Sequence, residues 1–241
     1  MSTEQQEMLD HMSIVQLDDG AGNLVNKTLR ISGINVQIVN GLGATNGNTR
    51  NPFTINLPNT TVNGLGNLIV GYKELGNTMG YDRTGSHNVV LGQSNSYKSF
   101  GGQVGGRGNT ITGLFAALTG GEKNHAKGFF GSISGGKSNT VKGKVSSISG
   151  GWFNTAAADT ASVSGGQGNK ASGNLAWVGG GKKNTASGLF ASVTGGTQNW
   201  ASGSYASVSA GVFNSASGEE SWVGGGFTQS GQRCVLFGER W

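Results

Sequence analysis

From Gly113 the chain repeats itself every fifteen residues, eight times without an insertion or deletion: GLFAALTGGEKNHAK, GFFGSISGGKSNTVK, GKVSSISGGWFNTAA, ADTASVSGGQGNKAS, GNLAWVGGGKKNTAS, GLFASVTGGTQNWAS, GSYASVSAGVFNSAS and GEESWVGGGFTQSGQ. A degenerate copy, KSFGGQVGGRGNTIT, precedes them from Lys98. A short strict period restricts the fold to stacked units, because one copy cannot bury a face by itself and must rest on its neighbours. Fifteen residues are too few for a strand–helix–strand unit, and the glycines disfavour a helix in between. The 46 glycines in 241 residues do not signal collagen, since there is no Gly-X-Y period and only two prolines. Nor do they signal disorder: the charged fraction is 12% and apolar residues recur regularly.

The columns of the repeat carry the physics. One aliphatic residue recurs at Leu118, Ile133, Ile148, Val163, Val178, Val193, Val208 and Val223, with a small residue two positions earlier from Ala116 to Ser221. After a Gly-Gly corner comes an asparagine column, Asn124, Asn139, Asn154, Asn169, Asn184, Asn199 and Asn214. Two residues further the column is Ala126, Val141 and then alanine. A spacing of two places one face of a short strand inward, so each turn reads as two short strands joined by glycine-permitted corners. The chain is therefore all-β, a parallel β-roll or β-solenoid of 15-residue rungs stacked about 4.8 Å apart. The asparagines form a structural ladder by stacking their amides along the axis, or serve because asparagine tolerates a left-handed corner; both roles are compatible with the pattern.

Each rung buries one aliphatic and two small residues, too little to offset the ordering of fifteen residues. A second surface must be covered. Phe115, Phe130, Val145, Thr160, Leu175, Phe190 and Tyr205 form a column of opposite parity to the inward one. An exposed apolar stripe of this kind marks an interface, and the expectation is a homotrimer packed around it.

The rest of the chain is less regular. Residues 1–12 are polar with Met8, Leu9 and Met12 at helical spacing, a helical stub or a frayed end. Residues 13–62 read as a β-rich attachment region: a hairpin with a loose turn at Asp18–Asn23, a clean alternation of Ile34, Val36 and Ile38, and a polar connector holding Pro52 and Pro58. Residues 63–112 contain two irregular rungs, GNLIVG and HNVVLG, with an insertion between them; 113–232 are the regular repeats; 233–241 read as a closing strand that caps the stack.

The motif A-S-V-S-G-G-x-x-N-x-A-S-G, found intact from Ala161 to Gly173, resembles the repeats of YadA-like heads in trimeric autotransporter adhesins. The segments GINVQIVNGLGATNG, GNLIVGY and TGSHNVVLGQ also look like the start of bacterial proteins carrying such repeats. The similarity covers about residues 33–231. It implies a left-handed parallel β-roll assembled as a trimer, with a head that binds host matrix or surfaces. Two features depart from that family: the N-terminus MSTEQQEMLDHM has no secretory signal, and there is no C-terminal membrane-anchoring barrel. The expectation is a detached adhesive head displayed outside a cell, or a fibre of a phage tail or contractile injection particle assembled in the cytoplasm, with no membrane insertion.

Chemistry is scarce in the sequence. His11, His87 and His125 are far apart, and no HxxxH or CxxC spacing exists, so no metal and no cofactor is expected. The single cysteine, Cys234, reads as a small apolar filler. No Gly-Gly corner carries the aspartate of a calcium-binding roll. GGGKKNT at 179–185 lacks the phosphate-loop pattern. Carboxylates inside the repeats (Glu122, Asp159, Glu219, Glu220) do not make a glycosidase pair, which leaves a polysaccharide-cleaving tailspike as an outside reading. The column from His125 to Ser215 is too broken for a flat ice-binding array. The reading is a binder, not an enzyme.

Charge and aromatic residues point to what it binds. Between Thr84 and Gly218 ten lysines and arginines face only Glu122 and Asp159. Such a field attracts polyanions such as acidic polysaccharide, or keeps the rod soluble; no module for specific nucleic acid is present. Trp152, Phe153 and Phe213 fall where most rungs carry small or polar residues, and Lys137, Lys182 and Lys183 belong to the basic excess. These six are the candidate ligand-binding residues, for a glycan or a surface protein. Trp177, Trp200 and Trp222 stand on outward columns, where partner packing or sugar stacking can use them.

Overall fold

The computed structural model describes residues 2–18, 20–21, 24–55, 57–72, 74–75, 77 and 81–231. The closing strand expected over 233–241, with Cys234, lies outside the described residues, as do Asp19, Gly22 and Asn23 of the hairpin turn. The chain divides into two units, Met1–Gln37 and Ile38–Trp241.

In the first unit the stub is a helix, α1 (Thr3–Asp10). Its start is a capping box: Ser2 Oγ accepts from the Gln5 N–H at 3.2 Å, and Gln5 Oε1 accepts from the Ser2 N–H at 2.8 Å. Strands β1 (Met12–Asp18) and β2 (Leu24–Ile31) follow as an antiparallel pair with a bulge at Leu17/Asp18. The alternation of Ile34, Val36 and Ile38 does not become a strand. Those residues join no ladder and remain exposed, because alternation alone supplies no pairing partner.

The second unit is a parallel β-solenoid of about ten turns, and its core is one continuous stack. Eleven strands form the first sheet, from β3 (Leu68–Val70) through β4 (Val89–Gln93) to Trp222–Val223. Ten form the second, from Ser96–Tyr97 to Ser230–Gly231. Equivalent residues of successive turns face one another, as Ile133 does Leu118 on one side and Ile148 on the other. A third row of single parallel bridges runs from Arg107 through Glu122, Lys137, Trp152, Gln167 and Lys182 to Phe227. Each turn therefore has three hydrogen-bonded edges instead of the two expected, because the residue after the Gly-Gly corner also pairs with its counterparts.

The corners explain two columns that strand parity leaves without a cause. Lys123, Ser138, Phe153, Lys183, Gln198 and Phe213 have φ between 54° and 58°, and Phe115, Phe130, Val145, Thr160, Leu175, Phe190 and Tyr205 between 53° and 59°. The Phe115 column is thus outward because it occupies a left-handed turn position just before the strand. In strands the N–H groups donate to the following turn, as Ala117 does to Gly131 O at 3.0 Å. At a left-handed residue the peptide reverses, and the N–H donates to the preceding turn: Phe130 to Leu114 O at 2.9 Å, Ser138 to Glu122 O at 2.9 Å. That conformation costs a non-glycine residue about 1–2 kcal/mol, and the recovered hydrogen bonds between turns offset it.

The same reversal gives the asparagines their role. None has positive φ; the left-handed residue is the one before each of them. The N–H that follows the reversal also points to the preceding turn, where no carbonyl meets it. The side chain of the preceding asparagine does: Asn154 N–H donates to Asn139 Oδ1, and Asn169 N–H to Asn154 Oδ1, both at 2.9 Å. Asn154 Nδ2 donates to Gly150 O of its own turn at 3.0 Å and Gly166 O of the next at 2.9 Å. The ladder is thus side chain to backbone, not amide stacked on amide. It begins at Asn95 and Asn109 and ends where Gln229 N–H reaches Asn214 Oδ1. The glycine column from Gly121 is part of the same device: an added Cβ there would meet the next glycine's carbonyl oxygen and, at 2.7 Å, Asn124 Nδ2.

Core volume is conserved turn by turn. Most turns pair two small residues ten apart, such as Ala161 with Ala171. Where one is larger its neighbour shrinks: a Cβ on Gly131 would lie 2.6 Å from Val141 Cγ1, and one on Gly102 2.6 Å from Ile111 Cδ1. Gly131→Ala alone is expected to destabilise the roll by about 1–3 kcal/mol through overpacking. Adding Val141→Ala, which recreates the Ala161/Ala171 turn, should recover part of that loss, measured as a double-mutant cycle in urea. Asn154→Ala strands the buried Asn169 N–H and takes the side-chain donor from Gly150 O and from Gly166 O, which keeps the Trp152 N–H, and should lower stability by about 2–5 kcal/mol. Asn154→Asp keeps the acceptor but loses both donated bonds, and should not rescue it in the same denaturation experiment.

Candidate functional site

Outward residues of a solenoid are organised as columns, so residues far apart in sequence share a surface when their spacing is a multiple of the turn. The third edge is the clearest case. Lys137, Trp152, Gln167 and Lys182 are successive bridge partners, and Phe153, Gly168 and Lys183 occupy the left-handed row beside them. Five of the six expected ligand residues therefore stand on one corner within four turns, about 14 Å from end to end. Phe213 is two turns beyond Lys183 on the same corner. There it meets Phe227 edge-on, with centroids 6.0 Å apart; the sequence reading did not single out Phe227.

The corner is aromatic with cationic flanks. The Trp152 and Phe153 rings stack at 5.0 Å and 30°, and both are about half exposed. Their backbone fixes this: Trp152 is held by its bridges to Lys137 and Gln167, and Phe153 projects from a left-handed residue. The flanking charges differ. Lys137 Nζ lies 3.1 Å from Glu122 Oε2, and Lys123 Nζ is 3.8 Å from Glu122 Oε1. The hydrogen bond from Lys137 holds the Glu122 carboxyl below its usual range, against desolvation and with help from the charges of Lys137, Lys123 and Arg107. Lys182 and Lys183 have no ion pair among the described residues. A recess of about 220 Å³ lies near Arg107, Glu122 and Lys123, with Leu75 and Gln93 also on its wall.

A second corner carries the Phe115 column. Phe115, Phe130, Val145, Leu175, Phe190 and Tyr205 are 38–59% exposed. Phe115 and Phe130 stack at 5.4 Å and 6°, and Phe190 and Tyr205 at 5.1 Å and 11°. Phe100, buried, closes the first stack edge-on at 5.4 Å. Polar residues divide the ridge in two, where the Asp159 carboxylate accepts from the Lys144 N–H at 2.8 Å. Leu189, on the adjoining column, enlarges the second patch. The sequence reading missed it, although the doublets in GLF and GFF were a visible signal.

On the second sheet His125 lies between Thr110 and Thr140, half-buried. Its Nε2 is 3.5 Å from Thr112 Oγ1. Burial first, then the Lys127 charge, push its pKa down to about 4. Among the described residues no three histidine, cysteine or carboxylate side chains gather as metal ligands, and no helix is long and apolar enough to cross a membrane.

No protein-family model matches the chain, and no curated protein matches it.

His125 makes stability depend on pH. Its folded pKa is depressed from about 6.5, so the unfolded chain binds more protons between that value and about 4. Stability is full above pH ~6.5 and falls as pH drops toward ~4. The thermal midpoint should decline over that window, and His125→Gln should flatten the decline; an unchanged profile in the variant contradicts the assignment.

Proposed function

We propose that the chain is a structural and adhesive fibre module. Three copies associate through the Phe115 ridge, and the assembled rod displays repeated side faces that hold cell-surface or matrix glycans or proteins. The observation that carries this reading is the ridge itself: two aromatic stacks on left-handed residues, about half exposed beside a core that is otherwise closed. Burial of rings of this size dominates the energetics of association. A solitary chain leaves that burial unused, and isolated rungs bury little.

The Trp152–Phe153 corner is the ligand face in this reading. Stacked rings with two lysines two turns away suit an extended anionic polymer, held by stacking and by charge. The role is holding, with no chemistry performed on the ligand.

Light scattering is expected to give three times the 24.6 kDa chain mass. Phe130→Asn together with Phe190→Asn should reduce it to one chain while the circular dichroism is kept, since asparagine tolerates the left-handed position. Retention on immobilised heparin should weaken with added salt and fall in Lys182→Ala/Lys183→Ala. A folded wild-type species of one chain mass overturns the assembly, and salt-insensitive retention overturns the anionic ligand.

A further inference from the structure

The outward face of the first sheet consists of two columns, at the positions of Ala117 and Thr119. In six of the eight turns from Gly113 the pair is serine or alanine followed by serine or threonine, as at Ser162 and Ser164. In the other two it is tryptophan followed by glycine, Trp177 with Gly179 and Trp222 with Gly224. The pairing has a steric cause. A Cβ on Gly179 would stand 2.9 Å from Trp177 Cη2 and Cζ2, and one on Gly224 2.8 Å from Trp222 Cη2. The backbone at Gly179 also approaches the Thr194 carbonyl oxygen too closely for a side chain. Each indole therefore lies across the sheet with its six-membered ring over a glycine. Its N–H donates to a serine of the preceding turn: Trp177 Nε1 to Ser164 Oγ at 3.2 Å, Trp222 Nε1 to Ser209 Oγ at 3.1 Å. Trp200, on the second sheet, makes the same kind of bond to Ser187 at 3.0 Å but has Ser202 in place of a glycine bed.

The rings are thus held rigid and flat while still open to solvent, Trp177 at 37% and Trp222 at 61%. They lie in equivalent positions three turns apart, about 14 Å along the axis, with hydroxyl-bearing turns between them. Neither column carries a charged residue in any of the eight turns.

We propose that this face binds a neutral polysaccharide lying along the roll, with the Trp177 and Trp222 indoles as stacking plates and the serine and threonine hydroxyls beside them as hydrogen-bond partners. A pyranose ring presents a flat C–H surface edged by hydroxyls, which matches an apolar plate set among hydroxyls. An acidic polymer would find no cation here. A protein partner needs a contiguous apolar centre, whereas these rings stand singly on a polar sheet. Rigid plates reduce the ordering cost of binding. The site shares no residue with the Trp152 corner or the Phe115 ridge, so it stands or falls independently of the proposed function.

Sedimentation with cellulose, chitin and mannan, and affinity electrophoresis in dextran and β-glucan, test it. The full chain should be retained by at least one of these neutral polymers. Trp177→Ser with Trp222→Ser, which installs the residue common at these positions, should weaken that retention about tenfold, leaving heparin retention and solution mass unchanged. Lys182→Ala/Lys183→Ala should do the converse. No retention on any neutral polymer, equal retention by the double tryptophan variant, or a fall in its mass (which makes the rings contacts between copies) each overturns the proposal.

Discussion

The solenoid depends on one hydrogen bond made repeatedly: the buried N–H of each asparagine donating to the side-chain oxygen of the asparagine one turn earlier. That N–H has no backbone partner, because the left-handed residue before it turns the peptide away from the following turn. An unsatisfied buried donor is costly, so the left-handed corner and the asparagine are one requirement. The amide nitrogen of the same side chain closes two glycine carbonyls, and the glycine must lack a Cβ for the amide to reach them. Three columns of the repeat therefore answer to a single geometric problem at a corner.

A second consequence of the corners is what they push outward. A left-handed residue carries its side chain away from the core whatever its hydropathy, so phenylalanine and tyrosine in the Phe115 column stack on one another in solvent. At the other corner the same conformation exposes Phe153 and Phe213 beside the row that holds Trp152. Apolar rings at these positions do not stabilise the chain's own interior, and an external partner is the natural use of such surfaces.

Because the turns stack in register, outward chemistry is sorted by face. The corner with Lys182 and Lys183 is cationic and aromatic, the outward face of the first sheet from Ala117 onward is uncharged and hydroxyl-bearing, and the Phe115 ridge is apolar at both ends of a polar middle. One short repeat can in this way present unlike surfaces without any change to the core, since inward and outward residues vary independently. Where the interior does vary, it compensates within the turn, as Gly131 does for Val141 and Gly102 for Ile111.

The period and its columns were legible in the sequence: the parallel stack, the inward aliphatic and alanine rows, and the importance of the asparagines all follow from spacing alone. The alignment of Lys137, Trp152 and Lys182 is also implicit in a multiple of fifteen. What spacing could not supply was the sign of φ at the corners. Parity arguments assume extended backbone, so they found the outward direction of the Phe115 column without its left-handed turn, left open whether the asparagines themselves were left-handed and missed the third hydrogen-bonded edge. Asn109 was within reach of the period, whereas the turn before it is a residue short, which hid Asn95. The stretch from Ile34 to Ile38 shows the opposite limit, since its alternation was clear and yet it forms no ladder among the described residues. Sequence determined which residues share a column and which columns face the core; tertiary structure alone decided where the chain turns left-handed, because that is set by where the peptide must point to find its hydrogen bond.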